Sequence, residues 1–187
     1  MREVSLHILD LVQNAVEAGA GRVRILLRED RVRDWLVLRV ADNGRGMDAE
    51  SCRLALDPFY STRRTRRVGL GLPLIDMSTA RCGGRLLVRS KPGQGTTVAA
   101  SWRLGHMDRP PLGNLTATLK TLIIGNAERD LAYTHQVDRR RFCLSVRQLR
   151  GALAGIPFTQ PDVLTWLDGY ITANERLVYG GVRDEDS

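Results

Sequence analysis

The glycines of this chain come in pairs, placed where one regular element must end and the next begin. Gly19 and Gly21, Gly44 and Gly46, Gly69 and Gly71, Gly83 and Gly84, and Gly93 and Gly95 all fall within residues 1–105. Glycine alone takes a positive φ at no steric cost, so such pairs mark tight turns and close backbone approaches. They cut the first segment into short elements whose hydrophobic periods can be read separately. Leu6, Leu9, Val12 and Val16, with Ile8, Leu11 and Ala15, recur at helical spacing over Ser5–Ala18, with Ser5 as expected N-cap and Gly19/Gly21 as the stop. Arg22–Leu27 and Trp35–Ala41 read as strands, joined by a polar hairpin turn over Arg28–Asp34. Ala49–Leu56 reads as a short helix, Asp57–Val68 as an irregular basic stretch, and Gly69–Arg81 as a second helix. Arg85–Ser90 and Thr96–Leu104 are then strands joined at Pro92-Gly93-Gln94-Gly95.

A boundary is expected near Gly105–Gly113, where Pro110-Pro111 interrupts any regular element. This divides the chain into residues 1–105 and a small α/β segment of unknown role, 106–187. In the second segment Asn114–Ile124, Arg147–Ala154 and Pro161–Asn174 read as helices, and Leu131–Val137 with Arg141–Val146 as a hairpin turning at Arg139-Arg140-Arg141. Residues Arg183–Ser187 are expected to fray.

Charge is divided unevenly between the segments. The net +7 lies wholly in residues 1–105, with 18 Lys+Arg against 11 Asp+Glu; the remainder carries 10 against 10. A polyphosphate or an acidic partner suits such a segment. No apolar run is long enough for a membrane helix and no signal peptide is evident, so the expected location is cytoplasmic. Cys52, Cys82 and Cys143 form no CxxC pair and are expected to be reduced, mostly packed thiols.

Four stretches carry the chemistry. Asp10 and Asn14 are four apart, so they share one face of the first helix amid apolar neighbours. An amide oxygen at Asn14 suits magnesium, which prefers oxygen donors, and a carboxylate one turn earlier can orient or deprotonate a water. Asp42-Asn43-Gly44-Arg45-Gly46-Met47 follows a strand, where a carboxylate can accept from an adenine amino group and glycines let the backbone approach a flat base. Asp57-Pro58-Phe59-Tyr60-Ser61-Thr62-Arg63 leads through Arg64, Arg66 and Arg67 into Gly69-Leu70-Gly71-Leu72. Glycines opening a helix present backbone N–H groups and a positive dipole end to phosphate, with Ser61, Thr62 and the arginines as further donors. Gly93-Gln94-Gly95-Thr96-Thr97 turns into the last strand with hydroxyls at its start.

In this order, over residues 5–104, the motifs N-x-x-x-AGA, DNGxGM, PFYST, GLGL and GQGTT resemble the GHKL ATPases, the family of gyrase, Hsp90, histidine kinases and MutL. The first motif looks most like MutL, and the later ones like sensor histidine kinases. The resemblance implies a two-layer α/β (α+β) sandwich of helices on a mixed sheet, the Bergerat fold, with ATP between the helical layer and a lid over Met47–Gly69. It implies Asn14 as magnesium ligand, Asp42 as adenine partner, and Gly44, Gly46 and Met47 as the adenine loop. It further implies Gly69, Leu70, Gly71 and Leu72 as the phosphate loop, Ser61, Thr62 and Arg63 as nucleotide contacts, and Thr97 as a hydroxyl supporting Asp42. Asp10 stands where hydrolysing members commonly have glutamate, and Arg67 where a glycine is usual. The second segment resembles the C-terminal part of small stand-alone ATP-binding proteins found beside iron-only hydrogenase genes.

Neither a helical hairpin nor a phosphoacceptor pattern around His7, His106 or His135 is recognisable. The expected function is a slow ATPase or nucleotide-driven switch binding ATP or ADP with magnesium, read by a protein partner or a second copy. The alternatives are a protein kinase of the anti-sigma serine-kinase or histidine-kinase type, with Asp10 as base, and a nucleotide-binding module that does not hydrolyse. DNA binding of the MutL kind is less favoured, because the segment after the motifs is neutral.

Overall fold

A computed structural model describes residues 3–57 and 71–181. Its elements in chain order are α1 (Val4–Glu17), β1 (Arg22–Asp30), β2 (Trp35–Asp42), α2 (Ala49–Leu54), α3 (Gly71–Arg81), β3 (Arg85–Lys91), β4 (Gly95–Arg103), α4 (Leu115–Gly125), β5 (Asp130–Val137), β6 (Arg140–Ser145), α5 (Val146–Ala152) and α6 (Pro161–Val178). The strands form one six-stranded sheet in the order β3-β4-β2-β1-β5-β6. Every neighbouring pair is antiparallel except β1 and β5, which run parallel, so the sheet is mixed as expected.

The register explains the layering. Ile25 lies opposite Val40 and Tyr133, and Leu38 opposite Ala100, so the buried residues of successive strands stack on one face. Strand side chains alternate faces, so the helices that cover this set must all lie on the same side. α1 supplies Val4, Ile8, Leu11, Val12 and Ala15 to that core, and α6 supplies Val163, Leu167 and Ile171. Gly105 is not where the sheet stops. β5 and β6 extend it beyond β1, α4 packs against α1, and one apolar core contains residues of both segments.

Three local expectations need correction. Ser5 is not the cap of α1: Glu3 holds that position, and Ser5 is buried inside the helix, donating to Glu3 Oε2 at 3.1 Å. The first amides of α1 are satisfied instead by carbonyls of the proline segment, Val4 N–H by Pro111 and Ser5 N–H by Leu112, each at 2.9 Å. The β1–β2 hairpin is tighter than its polar sequence suggests, because the strand runs on to Asp30 and leaves four residues, Arg31–Asp34, for the turn. Of the cysteines only Cys82 is buried; Cys143 is exposed on β6. The polar cluster His106, Asp108 and Arg109 serves the backbone of its own linker. His106 Nδ1 accepts from Asp108 N–H at 3.1 Å, while Arg109 donates to the carbonyls of Leu104 at 2.7 Å and Pro110 at 2.9 Å.

The largest polar group inside the core was not expected. His135 is fully buried on β5 between two carboxylates, with Nδ1 2.6 Å from Glu175 Oε2 and Nε2 3.2 Å from Glu29 Oε1. Tyr133 donates to Glu175 Oε1 at 3.0 Å, and Tyr179 donates to Glu29. The cluster ties β1 to β5 and both to the last turns of α6.

Candidate functional site

β2 ends at Asp42, half-buried on the helical side of the sheet. Its Oδ1 accepts from the backbone N–H of Gly44 at 2.7 Å and of Thr96 at 3.3 Å, so loop and strand amides fix one carboxylate oxygen. Oδ2 accepts no hydrogen bond among the described residues and is the oxygen left for a ligand amino group. The loop beyond is packed backbone against backbone. A Cβ at Gly46 (φ +68°) would lie 2.0 Å from the Lys91 carbonyl oxygen, and one at Gly95 (φ +84°) 2.0 Å from the Asp42 carbonyl oxygen. A Cβ at Gly44 would press on Ala18 at 2.8 Å. Met47 N–H donates to Ser90 Oγ at 2.8 Å, and Gly93 N–H to the Arg45 carbonyl at 2.7 Å, so the Gly44–Met47 loop is pinned to the β3–β4 turn.

Gly46→Ala is therefore expected to destabilise the fold by about 2 kcal/mol or more, since the position combines a left-handed φ with a backbone clash. Thermal unfolding checks this, and a melting temperature equal to that of the parent would show that the loop relaxes at little cost.

Helix α1 runs alongside. At its C-terminal end Arg45 N–H donates to the Ala18 carbonyl at 2.8 Å, joining the helix to the Gly44–Met47 loop. Farther up, Asp10 meets the first turn of α3: a Cβ at Gly71 would be 3.8 Å from both Cβ and Oδ2 of Asp10. From Ala18 to Asp10 is eight helical residues, about 12 Å of rise, and exposed Asn14 stands midway. An extended nucleoside triphosphate covers that span. At the far end, the amides and dipole at the start of an 11-residue helix favour anions. Leu72 packs half-buried against the core and anchors that turn. Ser61, Thr62, Arg63, Gly69 and Leu70 lie outside the described residues.

Thr97, expected to support Asp42, lies on the other face of its strand. Thr97 lies opposite Ala41 in the register, on the face of β4 turned away from the helices, whereas Thr96 shares the face of Asp42. Thr96 Oγ1 is 2.8 Å from Ser90 Oγ, which also donates to the Gly95 carbonyl at 3.1 Å. The hydroxyl beside Asp42 is thus that of Thr96, with Ser90 one strand farther on and in contact with it. Counting residues from Thr96 to the buried Val98 in the alternation of β4 was the signal that could have found the first.

Residues 2–106 match the family described as histidine kinase-, DNA gyrase B-, and HSP90-like ATPase. The chain belongs to that family. Among curated relatives, the sensor protein kinase FleS of Pseudomonas aeruginosa is 37% identical over 89 residues, 48% of this chain and 22% of its own. The sensor histidine kinase YxdK of Bacillus subtilis is 32% identical over 101 residues, 49% of this chain and 30% of its own. The non-motile and phage-resistance protein of Caulobacter vibrioides is 32% identical over 117 residues, 58% of this chain and 14% of its own. The chain thus spans less than a third of the length of each. Among solved structures, the N-terminal domain of a DNA repair protein superposes with a TM-score of 0.52 at 18% identity, over 76% of this chain and 52% of that one, a likeness of fold. ATP binding follows from membership of the ATPase family. No helix among the described residues is long and apolar enough to cross a membrane.

Proposed function

We propose that this GHKL protein binds magnesium ATP along α1 and hydrolyses it slowly, as a nucleotide-driven switch read by a partner protein or a second copy. The observation that carries the reading is Asp42, whose Oδ1 is held by two backbone amides while Oδ2 accepts no hydrogen bond among the described residues. In this reading Oδ2 accepts the adenine amino group, Gly44, Gly46 and Met47 floor the base, and Thr96, held by Ser90, flanks it. Gly71 and Leu72 open the helix at the phosphate end. The donor set fits a hard cation: the Asn14 amide oxygen and the Asp10 carboxylate are one turn apart at the phosphate half of the pocket. Magnesium held by Asn14 would screen phosphate charge, and Asp10 would take a proton from water attacking the terminal phosphate. Ser61, Thr62, Arg63, Gly69 and Leu70 belong to the same proposal as lid and phosphate-loop contacts.

Asp42→Asn is expected to weaken ADP and ATP by about 1–3 kcal/mol, because a charge-assisted acceptor becomes an amide that can present N–H to the base. Titration calorimetry with and without magnesium measures it, and an unchanged affinity would remove Asp42 from the adenine site.

A kinase reading is favoured by one feature. Asp10 adjoins the phosphate end, so it is placed to take the proton of an acceptor hydroxyl as well as that of water. Of the three histidines, His7 and His135 are buried, and His106 Nδ1 is engaged by Asp108. Incubation with gamma-labelled ATP separates the readings. Free phosphate supports the switch, label on protein supports the kinase, and tight binding with neither supports a non-hydrolysing module.

A further inference from the structure

All buried strand side chains lie on the helical side, so among the described residues the opposite face of the sheet is left uncovered from β1 to β3. Its composition is not that of an ordinary solvated face. β1 contributes Arg22, Arg24 and Arg28; β3 contributes Arg85, Arg89 and Lys91. These two basic lines are separated by β2 and β4, three strand spacings or about 14 Å. Between them the floor is mixed, with small or apolar Val37, Ala41, Thr97, Ala99 and Ser101 interrupted by exposed Arg39 beside Ala99, and closed at one end by Arg103 stacked on Trp35.

The basic lines are unequally neutralised. Asp130 is shared by Arg22 at 3.3 Å and Arg24 at 2.8 Å, and Arg28 pairs with Asp30 at 3.0 Å. Arg39, Arg85, Arg89 and Lys91 make no ion pair among the described residues. Much of the positive charge concentrated in residues 1–105 therefore lies on a face that the nucleotide pocket does not use.

We propose that this trough is a docking surface for an acidic amphipathic helix of a partner protein. A helix with its side chains is about 10–12 Å across, which fits between the basic lines. Strands of 7 to 9 residues give a trough about 23–30 Å long, matched by a helix of about 15–20 residues. The apolar stripe of such a helix covers Ala41, Val37, Ala99 and Leu87, and glutamates on its flanks meet Arg39, Arg85, Arg89 and Lys91. Single-stranded nucleic acid is less well served, because binding it relies on exposed aromatic rings for stacking. Among the described residues the one ring on this side, Trp35, is already covered by the Arg103 guanidinium at 4.2 Å.

The probe is a fluorescent synthetic helical peptide of about 18 residues, with leucine and alanine on one face and glutamate on the flanks. Its binding to the full chain is followed by anisotropy at about 0.15 M salt. Saturable binding is expected, weakened at least tenfold in the exposed charge-reversal variant Arg85→Glu/Arg89→Glu. Ala99→Arg adds positive charge but fills the floor, so it is also expected to weaken the peptide, whereas attraction by charge alone would make it bind more tightly. The proposal is overturned if a scrambled peptide of the same composition binds equally well, if a thymidine oligonucleotide of similar length binds more tightly, or if the double variant binds as the parent does. Circular dichroism of both variants confirms that the fold is kept.

Discussion

Asp10→Asn is expected to reduce ATP hydrolysis by about 10²–10⁴, the usual contribution of a positioned general base, while leaving ADP affinity close to that of the parent. The geometry motivates the separation of effects. Asp10 lies against the first turn of α3, the proposed phosphate end, whereas the groups proposed to hold the base gather about eight residues along α1, where Ala18 meets the Gly44–Met47 loop. A base must come within about 3 Å of the water it deprotonates, and aspartate carries its carboxylate one methylene short of glutamate. The parent rate is accordingly expected to be slow and Asp10→Glu to raise it. Single-turnover phosphate release with matched ADP titrations makes the measurement. A fast rate that survives Asp10→Asn would transfer the role elsewhere. His7 is then poorly placed, being buried and stacked on Trp102 with ring centroids 6.4 Å apart. Glu17 is exposed near the adenine end and accepts from Gln13 at 3.1 Å. Neither stands at the start of α3, which strengthens the assignment to Asp10.

Local periodicity carried most of the fold. The apolar spacing of α1, the alternation in β1 and β2, and the glycine pairs located these elements to within a few residues, because each signal is contained in a single turn or strand. Asp42, Gly44 and Gly46 were legible for the same reason: a strand end followed by glycines is a local event with a local physical cause. What escaped the sequence was decided by partners distant in the chain. The amides at the start of α1 are capped by Pro111 and Leu112, so Ser5 was free to be buried and its suitability as a cap misled. Thr97 gave way to Thr96 because strand parity is set by pairing with β2 and β3, and a shift of one residue exchanges the faces. The parallel pairing of β1 with β5 joins residues about a hundred positions apart, and no spacing in the sequence announces it. Glu29 was read as part of a polar turn for the same reason, since only that pairing brings His135 beside it.

The pH dependence of stability is the larger consequence of that cluster. Burial alone would lower the pKa of His135, but hydrogen bonds to Glu175 and Glu29, and their charges, outweigh it and raise the value from 6.5 to about 9. Burial likewise works to raise Glu29, yet hydrogen bonds from His135 and Tyr179 hold its carboxyl below the usual value. A group whose pKa is raised on folding contributes stability that is complete below its unfolded value and lost as pH rises through the folded one. For His135 that window runs from 6.5 to about 9, and a shift of this size corresponds to about 3 kcal/mol. Glu29 acts in the opposite direction: its contribution is present above the ordinary carboxyl range and lost as pH falls through its lowered value. Unfolding free energy measured in denaturant is therefore expected to be highest near pH 5–6.5 and to decline steadily toward pH 9. Glu175→Gln removes the shortest partner of the imidazole, at 2.6 Å, and is expected to move the decline to lower pH and shrink it. His135→Gln is expected to abolish the decline and to lower stability below pH 7, because two buried carboxylates lose their cation. A parent protein equally stable at pH 6 and pH 9 would show that the imidazole is neutral in the folded state and that the two carboxylates share their charge some other way.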